Sequence, residues 1–321
     1  TSAAWLNSLI EGPDFTTQEL VDMLEAHAFP IEAVEPIELS SGGTDDQLDV
    51  ELTSNRGDCF SHVALAREVA AVSSRAVKLP GTLGGATVPG GSGDAVADAV
   101  TISNNVAAKL GSPGACPLFT ARKITGVKVG ESPDWLKDAL EAVGQRPINN
   151  IVDISNYVLF ETGHPSHAFD LQRLKGQGLT IRHAADGETF EALDDATHTL
   201  KATDLVVADD AGVVSLAGVI GGKGSAVTDE TTDVLIEVAT WDPSTVRTTA
   251  RRLRISTDAC YRFERTVDPA GLRAASDRIV ELVLELAGGQ LVGSGDASVI
   301  AEGLPIEPLP TIRLRLERVE F

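Results

Sequence analysis

Between residues 179 and 239, the apolar runs of LTIRHAADGETF, LVVADDAGVVSLAG and VLIEVA are punctuated by Asp-Gly and Asp-Ala-Gly turns. That pattern predicts short strands alternating with tight turns. On either side the hydrophobic period changes. Upstream, PLFTARKITGVKV reads as one more strand, SPDWLKDALEAVG as a helix with Ser132 as N-cap, Pro133 in its first turn and Gly144 past its end, and NNIVDISNYVLFETG as a second helix. Downstream, DPSTVRTTARRLR and DPAGLRAASDRIVELVLELAGG read as helices that each open on Asp-Pro, an N-cap followed by a preorganised first turn.

The first eighty or so residues carry a smaller version of the same mixture. DFTTQELVDMLEAHAF has Thr16 and Glu19 at capping-box spacing ahead of a helical period, LDVELTSNRGD alternates as a strand, and FSHVALAREVAAV returns to helix. GTLGGATVPGGSGDA, residues 81–95, has no hydrophobic period and reads as a linker or long loop. A chain of 321 residues is also longer than one core usually serves. The expected fold class is therefore α+β: a small α+β domain at 1–85, a Gly-rich linker at 86–99, a larger mixed α/β domain at 100–290, and at 291–321 a linker with the first strand of a further domain, marked by Ile312, Leu314 and Leu316.

Charge and cysteine usage narrow the function classes. A formal charge of −21 argues against a surface that cradles nucleic acid everywhere, so any phosphate contact must be a local basic patch. No stretch reaches the ~20 apolar residues that span a bilayer, and TSAAWLNSLIEG lacks the basic and apolar regions of a secretory leader; the expected location is cytoplasmic, away from membranes. Cys59, Cys116 and Cys260 are far apart and form no C-x-x-C pair, which predicts reduced, structural thiols.

Four stretches carry candidate chemistry. In ETGHPSHAFD, His164 and His167 are three apart with Pro165 between them, unlike the i,i+4 pair of a helical zinc site; no metal is expected, and Gly163 and Pro165 read as helix stop signals that leave His167 facing a pocket. GVIGGKGS spaces its glycines and lysine wrongly for a phosphate loop, so Gly218, Gly221 and Gly222 are expected to serve positive φ or a close backbone approach. VLIEVA puts Val234, Ile236 and Val238 on one face and Leu235, Glu237 and Ala239 on the other, making Glu237 a carboxylate among apolar neighbours, with either an arginine partner or a task. Arg247, Arg251 and Arg254, at i, i+4 and i+7, line one predicted helix face, as a solvated stripe or a phosphate contact. The residues alone thus suggest a pocket of Asn156, His167, Glu237 and the glycine loop.

Longer stretches carry a resemblance. RPINNIVDISNYVLFETGHPSHAFDL, LAGVIGG, IEVATWDPSTVRTTARRLRISTDACYRFERTVDP and ELTSNRGDCFSHVALAREVAAV resemble, in order, the beta subunit of bacterial phenylalanyl-tRNA synthetase. The resemblance implies that residues 100–290 form the domain that hydrolyses tyrosine wrongly attached to phenylalanine tRNA, with aminoacylation on the alpha subunit. It implies a pocket of Ser155, Asn156 and His167 as the hydrolytic group, with Glu237, Gly218, Gly221, Thr257 and Ala259 binding the aminoacyl group and Arg247, Arg251 and Arg254 as tRNA contacts. Implied partners are the alpha subunit, in a tetramer of two alpha and two beta chains, phenylalanine tRNA, and tyrosine as the editing ligand. No cofactor is implied for this chain itself; ATP and magnesium belong to the whole ligase. A non-catalytic tRNA-binding or scaffold module with lapsed hydrolysis is the alternative.

This chain departs from the family pattern at four places: Ser155 stands for a threonine, Cys260 for a serine, Thr266 for a glycine and Gly57 for a proline. The OB-fold insertion of many bacterial members is also missing, with only the Gly-rich stretch near its place.

Overall fold

The computed structural model describes residues 1–86, 100–102, 114–176, 178–292 and 298–300. Residues 87–99 of the Gly-rich segment, and the strand expected around Ile312, Leu314 and Leu316, lie outside them.

In chain order the elements are α1 (Ala3–Ser8), α2 (Thr17–Glu25), β1 (Ile31–Glu38), β2 (Thr44–Val50), α3 (His62–Ser73), β3 (Val100–Ile102), β4 (Leu118–Thr125), α4 (Asp134–Glu141), α5 (Asn150–Thr162), β5 (Ser166–Asp170), β6 (Leu179–His183), β7 (Thr189–Glu191), β8 (Thr197–Thr199), β9 (Leu205–Ala208), β10 (Val213–Leu216), β11 (Ile220–Gly221), β12 (Asp233–Ala239), α6 (Pro243–Leu253), α7 (Asp258–Phe263), α8 (Leu272–Leu286), β13 (Gln290–Leu291) and β14 (Ser298–Ile300). One sheet runs β11-β10-β9-β6-β3 and another β13-β4-β12-β5, with β14 also on β4; β1-β2 and β7-β8 are separate ribbons. Every pairing is antiparallel except β3 with β6. The chain is an α+β protein.

Strand β12 organises the interior. Val234, Ile236 and Val238 point into a core shared with α1, α3, α5 and α8, while Leu235 and Ala239 point into a second core with β6, β9, β10, Trp241 and Phe263. This is the two-faced strand that the alternation of VLIEVA predicts. The first core runs from Ala3 to Ala287, so the opening eighty residues and α8 bury apolar surface together. His62 sits inside it, stacked on Trp5 with centroids 3.9 Å apart, its Nδ1 2.9 Å from the Phe160 carbonyl and its Nε2 accepting the Ser2 N–H at 3.1 Å. Burial lowers its pKa to about 3.

Several sequence expectations hold at the level of single hydrogen bonds. Thr16 and Glu19 form the reciprocal capping box, and Asp242 caps α6 with Pro243 behind it. Two do not. Helix α4 is capped by Pro133 without a side-chain bond, because the Ser132 hydroxyl donates instead to buried Asp153 at 2.5 Å. Helix α8 starts at Leu272 behind Gly271, while Asp268 and Pro269 form a preceding turn in which the Asp268 carboxylate accepts the Ala270 N–H.

Two departures from the family pattern meet in space. A Cβ on Gly57 would lie 2.4 Å from the Arg265 carbonyl oxygen and 3.5 Å from that of Thr266. Thr266 itself holds φ +75°, where a β-branched residue is strained. Thr266→Gly is therefore expected to stabilise the fold by about 1 kcal/mol, the relief of a left-handed conformation less the entropy of a freer unfolded chain. A denaturant midpoint that stays put or falls would show that Thr266 is held there without strain.

Candidate functional site

Helix α5 ends at Gly163, whose φ of +82° lets the chain reverse into β5. The reversal carries His167 onto a strand paired with β12, where it stands directly across from Glu237. Directly opposed residues on antiparallel strands project to the same face. That face is the one of Leu235 and Ala239, so Glu237 enters an apolar region beside an imidazole.

The facing wall is the turn between β10 and β11 together with the start of α7. Gly218 takes φ +69°, and a Cβ there would lie 2.8 Å from Trp241 and 2.9 Å from Val246. Gly221 is required for space: its Cβ would lie 2.3 Å from His167 Cε1. Gly222, likewise, leaves no room for a Cβ against the Val214 carbonyl, 2.5 Å away. Thr257 fastens the wall, donating its hydroxyl to the Val219 carbonyl at 2.9 Å while accepting the Cys260 N–H that caps α7. The Cys260 thiol contacts the same Val219 carbonyl at 3.5 Å.

These elements enclose a cavity of about 350 Å³ lined by Asn156, His167, Gly218, Gly221, Glu237, Thr257 and Ala259 among others. Its size falls within the roughly 300–1,000 Å³ of small-ligand sites. Glu237 is 6% exposed, has no cationic neighbour, and its Oε2 finds no hydrogen-bond partner. Desolvation raises its pKa to about 8, so at neutral pH the carboxyl is largely protonated. The arginine partner considered from sequence is absent among the described residues. His167 is half-buried as a residue, but its Nε2 is enclosed and unpartnered; burial lowers its pKa to about 4 and keeps the ring neutral. Its edge-on neighbour is Phe169, with centroids 4.5 Å apart. In the turn, the amides of Ala217, Val219 and Gly222 donate to Leu205, Leu216 and Val214, which leaves the Gly218 N–H without an intramolecular acceptor among the described residues.

The cavity therefore combines apolar walls with a neutral acid, a neutral imidazole, the Asn156 amide, the Gly218 backbone and the polar side chains of Ser166, Ser215, Thr257 and Asp258. Such a set can bind a neutral aromatic or aliphatic group with a hydroxyl and orient a water against a carbonyl. Among the described residues, no group of three or more closely spaced metal-ligating side chains lines it. Among the described residues the metal-like grouping is Asp58, Cys59 and Glu68, which lies elsewhere and is already bridged by Arg56 to Asp58 at 2.9 Å and Glu68 at 2.7 Å.

The B3/4 domain model matches residues 115–288, which include every element of this cavity. This chain belongs to the B3/4 domain family. Among curated relatives, the phenylalanine–tRNA ligase beta subunit of Rhodopirellula baltica is 39% identical over 316 residues, covering 98% of this chain and 43% of the relative. The corresponding subunit of Geobacter sulfurreducens is 42% identical over 281 residues, covering 86% of this chain and 33% of the relative. This chain thus spans well under half the length of either. A solved N-terminal fragment of the phenylalanyl-tRNA synthetase beta-subunit from Pyrococcus horikoshii aligns over 78% of this chain and 73% of its own, at 18% identity and a TM-score of 0.40, too distant to bear on the site. The resemblance read from the motifs to the phenylalanyl-tRNA synthetase beta subunit is thus matched by both the family model and the curated relatives.

Within this B3/4 domain the sequence-selected residues divide. Asn156, His167, Gly218, Gly221, Glu237, Thr257 and Ala259 converge on one cavity. Ser155 is not in the lining itself, but its hydroxyl pairs at 2.6 Å with that of Ser166, which is, tying α5 to β5. Arg247, Arg251 and Arg254 are exposed and outside the cavity. They also do not share one helix face, because Arg254 is the C-cap of α6 at φ +59°. Arg247 donates to the Glu264 carbonyl at 2.9 Å. Trp241, Phe263, Leu193 and Ser215 also line the cavity, and sequence reasoning missed them as site residues. Trp241 lies two residues past the end of the strand that carries Glu237.

Proposed function

We propose that this chain is the editing module of a phenylalanyl-tRNA synthetase beta subunit, hydrolysing the ester of tyrosine misattached to phenylalanine tRNA. The observation that carries this reading is Glu237: a buried carboxyl with an unpartnered oxygen, opposite His167, in a cavity whose walls also carry Leu216, Val219, Trp241 and Phe263. A neutral carboxylic acid has both a donor and an acceptor. The tyrosine hydroxyl can satisfy both, whereas phenylalanine leaves them unpaired at a cost of about 1–3 kcal/mol. A synthetic site shaped for phenylalanine excludes an added hydroxyl only weakly, by roughly 10²-fold, so a second site that reads the hydroxyl supplies the missing selectivity.

In the hydrolytic step a water attacks the ester carbonyl, the carbon–oxygen bond to the tRNA ribose breaks, and free tyrosine leaves with the ribose hydroxyl regenerated. The neutral His167 imidazole and the Asn156 amide hold that water. A ring with a pKa of about 4 is a weak base at neutral pH, so its part is orientation, with proton removal shared with the departing ribose oxygen. The Gly218 N–H faces the developing oxyanion. In the whole ligase this chain would serve beside the alpha subunit, in a tetramer of two alpha and two beta subunits that uses ATP and magnesium in the cytoplasm; the exposed Arg247, Arg251 and Arg254 are candidate tRNA contacts.

The test is tyrosine release from mischarged phenylalanine tRNA, with the phenylalanine-charged form as control, by this chain and its Glu237→Ala variant. Release confined to the tyrosyl form and lost in the variant is expected. Equal release from both forms would remove Glu237 as the reader. No release, even from a longer chain that completes the subunit, would leave a non-catalytic tRNA-binding or scaffold role.

A further inference from the structure

A second cavity, of about 310 Å³, shares no lining residue with the first. It lies between α1 and α4 over α5. Trp135 and Asp138 face it from α4 at i and i+3, one side of a helix, and the small Ala142 at the C-cap of α4 leaves the space open. Trp5 of α1 and Tyr157 of α5 form its base, stacked with centroids 4.5 Å apart, and Trp135 stands edge-on to Tyr157 at 5.4 Å. Asp45 of β2 closes one end.

The charged side chains lining this groove are both carboxylates, with the Thr1 ammonium the cation that acts on Asp45. Asp138 accepts the Ser41 hydroxyl at 2.6 Å and the Ser41 N–H at 3.3 Å. Asp45 accepts the Ala4 N–H at 3.0 Å, the Asp46 N–H at 2.8 Å and the Ser2 hydroxyl. All these donors are neutral. Neither carboxylate is in an ion pair with a lysine or arginine among the described residues, and no lysine or arginine lines the cavity. Each retains acceptor capacity, and the aromatic faces are themselves negative. Trp135 is 44% exposed and Ala4 and Ser8 on the rim are exposed, so a side chain can enter while its main chain stays at the surface. A planar cation on an apolar stem fits this chemistry: guanidinium stacks on indole and forks to a carboxylate, which ammonium cannot do.

We propose that the groove between α1 and α4 is a binding site for an arginine side chain presented by a protein partner, stacked on Trp135 and paired with Asp138 and Asp45. The proposal is independent of the editing reading, because no residue is shared.

The test is titration of the intact chain with the blocked tripeptide Gly-Arg-Gly, its citrulline counterpart and spermidine, following the indole N–H resonance of Trp135. Saturable binding of the arginine peptide is expected. Citrulline, equal in shape but neutral, and the Asp138→Asn variant are each expected to weaken it roughly tenfold or more. Equal binding of the citrulline peptide, no effect of Asp138→Asn in a variant with native spectral dispersion, or binding of spermidine without the peptide would each overturn the proposal. The citrulline comparison uses the unaltered chain and is unaffected by any folding defect of a variant.

Discussion

Arg278→Met is expected to destabilise the protein by about 3–5 kcal/mol, the cost of leaving a buried charge uncompensated. Glu161, fully buried on α5, receives Arg278 Nε at 3.0 Å and Nη2 at 3.2 Å, while Nη1 of the same guanidinium reaches Glu281 at 3.1 Å. Burial pushes the Glu161 pKa up despite the arginine, so the pair is finely balanced and the carboxylate has little reserve. Removing the guanidinium raises that pKa further, so the loss should shrink as pH falls and Glu161 takes up a proton. Urea denaturation across pH measures this. A double Glu161→Gln, Arg278→Met variant should recover much of the loss, since a neutral pair has no charge to strand. A single-variant loss below about 1 kcal/mol would mean that Glu161 does not depend on Arg278. The consequence reaches the site, because α5 carries Asn156 and sets the turn that delivers His167.

The second large effect concerns Glu237 and has the opposite sign. Its folded pKa of about 8 lies above the ordinary carboxyl value of 4.5, so the folded state retains a proton that the unfolded chain releases. Stability from this group is complete below about pH 4.5 and declines as pH rises towards and through 8. Glu237→Gln removes that decline. At pH 7 the variant is expected to be more stable by about 3 kcal/mol, with the difference closing near pH 4.5. His167 and His62 work in the other direction: their pKa values, lowered from 6.5 to about 4 and about 3, give stability that is complete above 6.5 and lost as pH falls. Wild-type melting temperature should therefore fall on both sides of a slightly acidic optimum, and Glu237→Gln should flatten only the alkaline side. Parallel pH profiles for the two proteins would show that the Glu237 carboxyl is already ionised and solvated. A stabilising loss of a carboxylate is what a functional group held against its own preference predicts.

The alternation of VLIEVA settled which residues of β12 enter which core, because a strand's side-chain period is fixed by backbone geometry. Gly163 ended α5 for an equally local reason: a left-handed position at a helix end suits glycine. The family motifs brought the cavity residues to attention, and those residues do converge. Local chemistry was ambiguous where side chains could choose partners. Ser132 looked like a helix cap but bonds Asp153, some twenty residues on. Ser155, which the family resemblance implied as a pocket residue, bonds Ser166, which lines the cavity. The arginine periodicity assumed that α6 continued past its actual end at Leu253.

By itself, then, the sequence determined the α+β mixture, the caps whose partners lie within one turn, the two faces of β12 and a part of the cavity lining. Each of these follows from short-range geometry or from long stretches of family pattern. Only the tertiary structure decided that Glu237 stands across from His167 with no cation near it, that Gly221 exists to make room for that imidazole, and that Arg278 is the counterion of Glu161. It also placed Trp5, Trp135, Asp45 and Asp138 around one groove. Those facts depend on strand register, helix packing and desolvation, which join residues tens to hundreds of positions apart and leave no local mark on the chain.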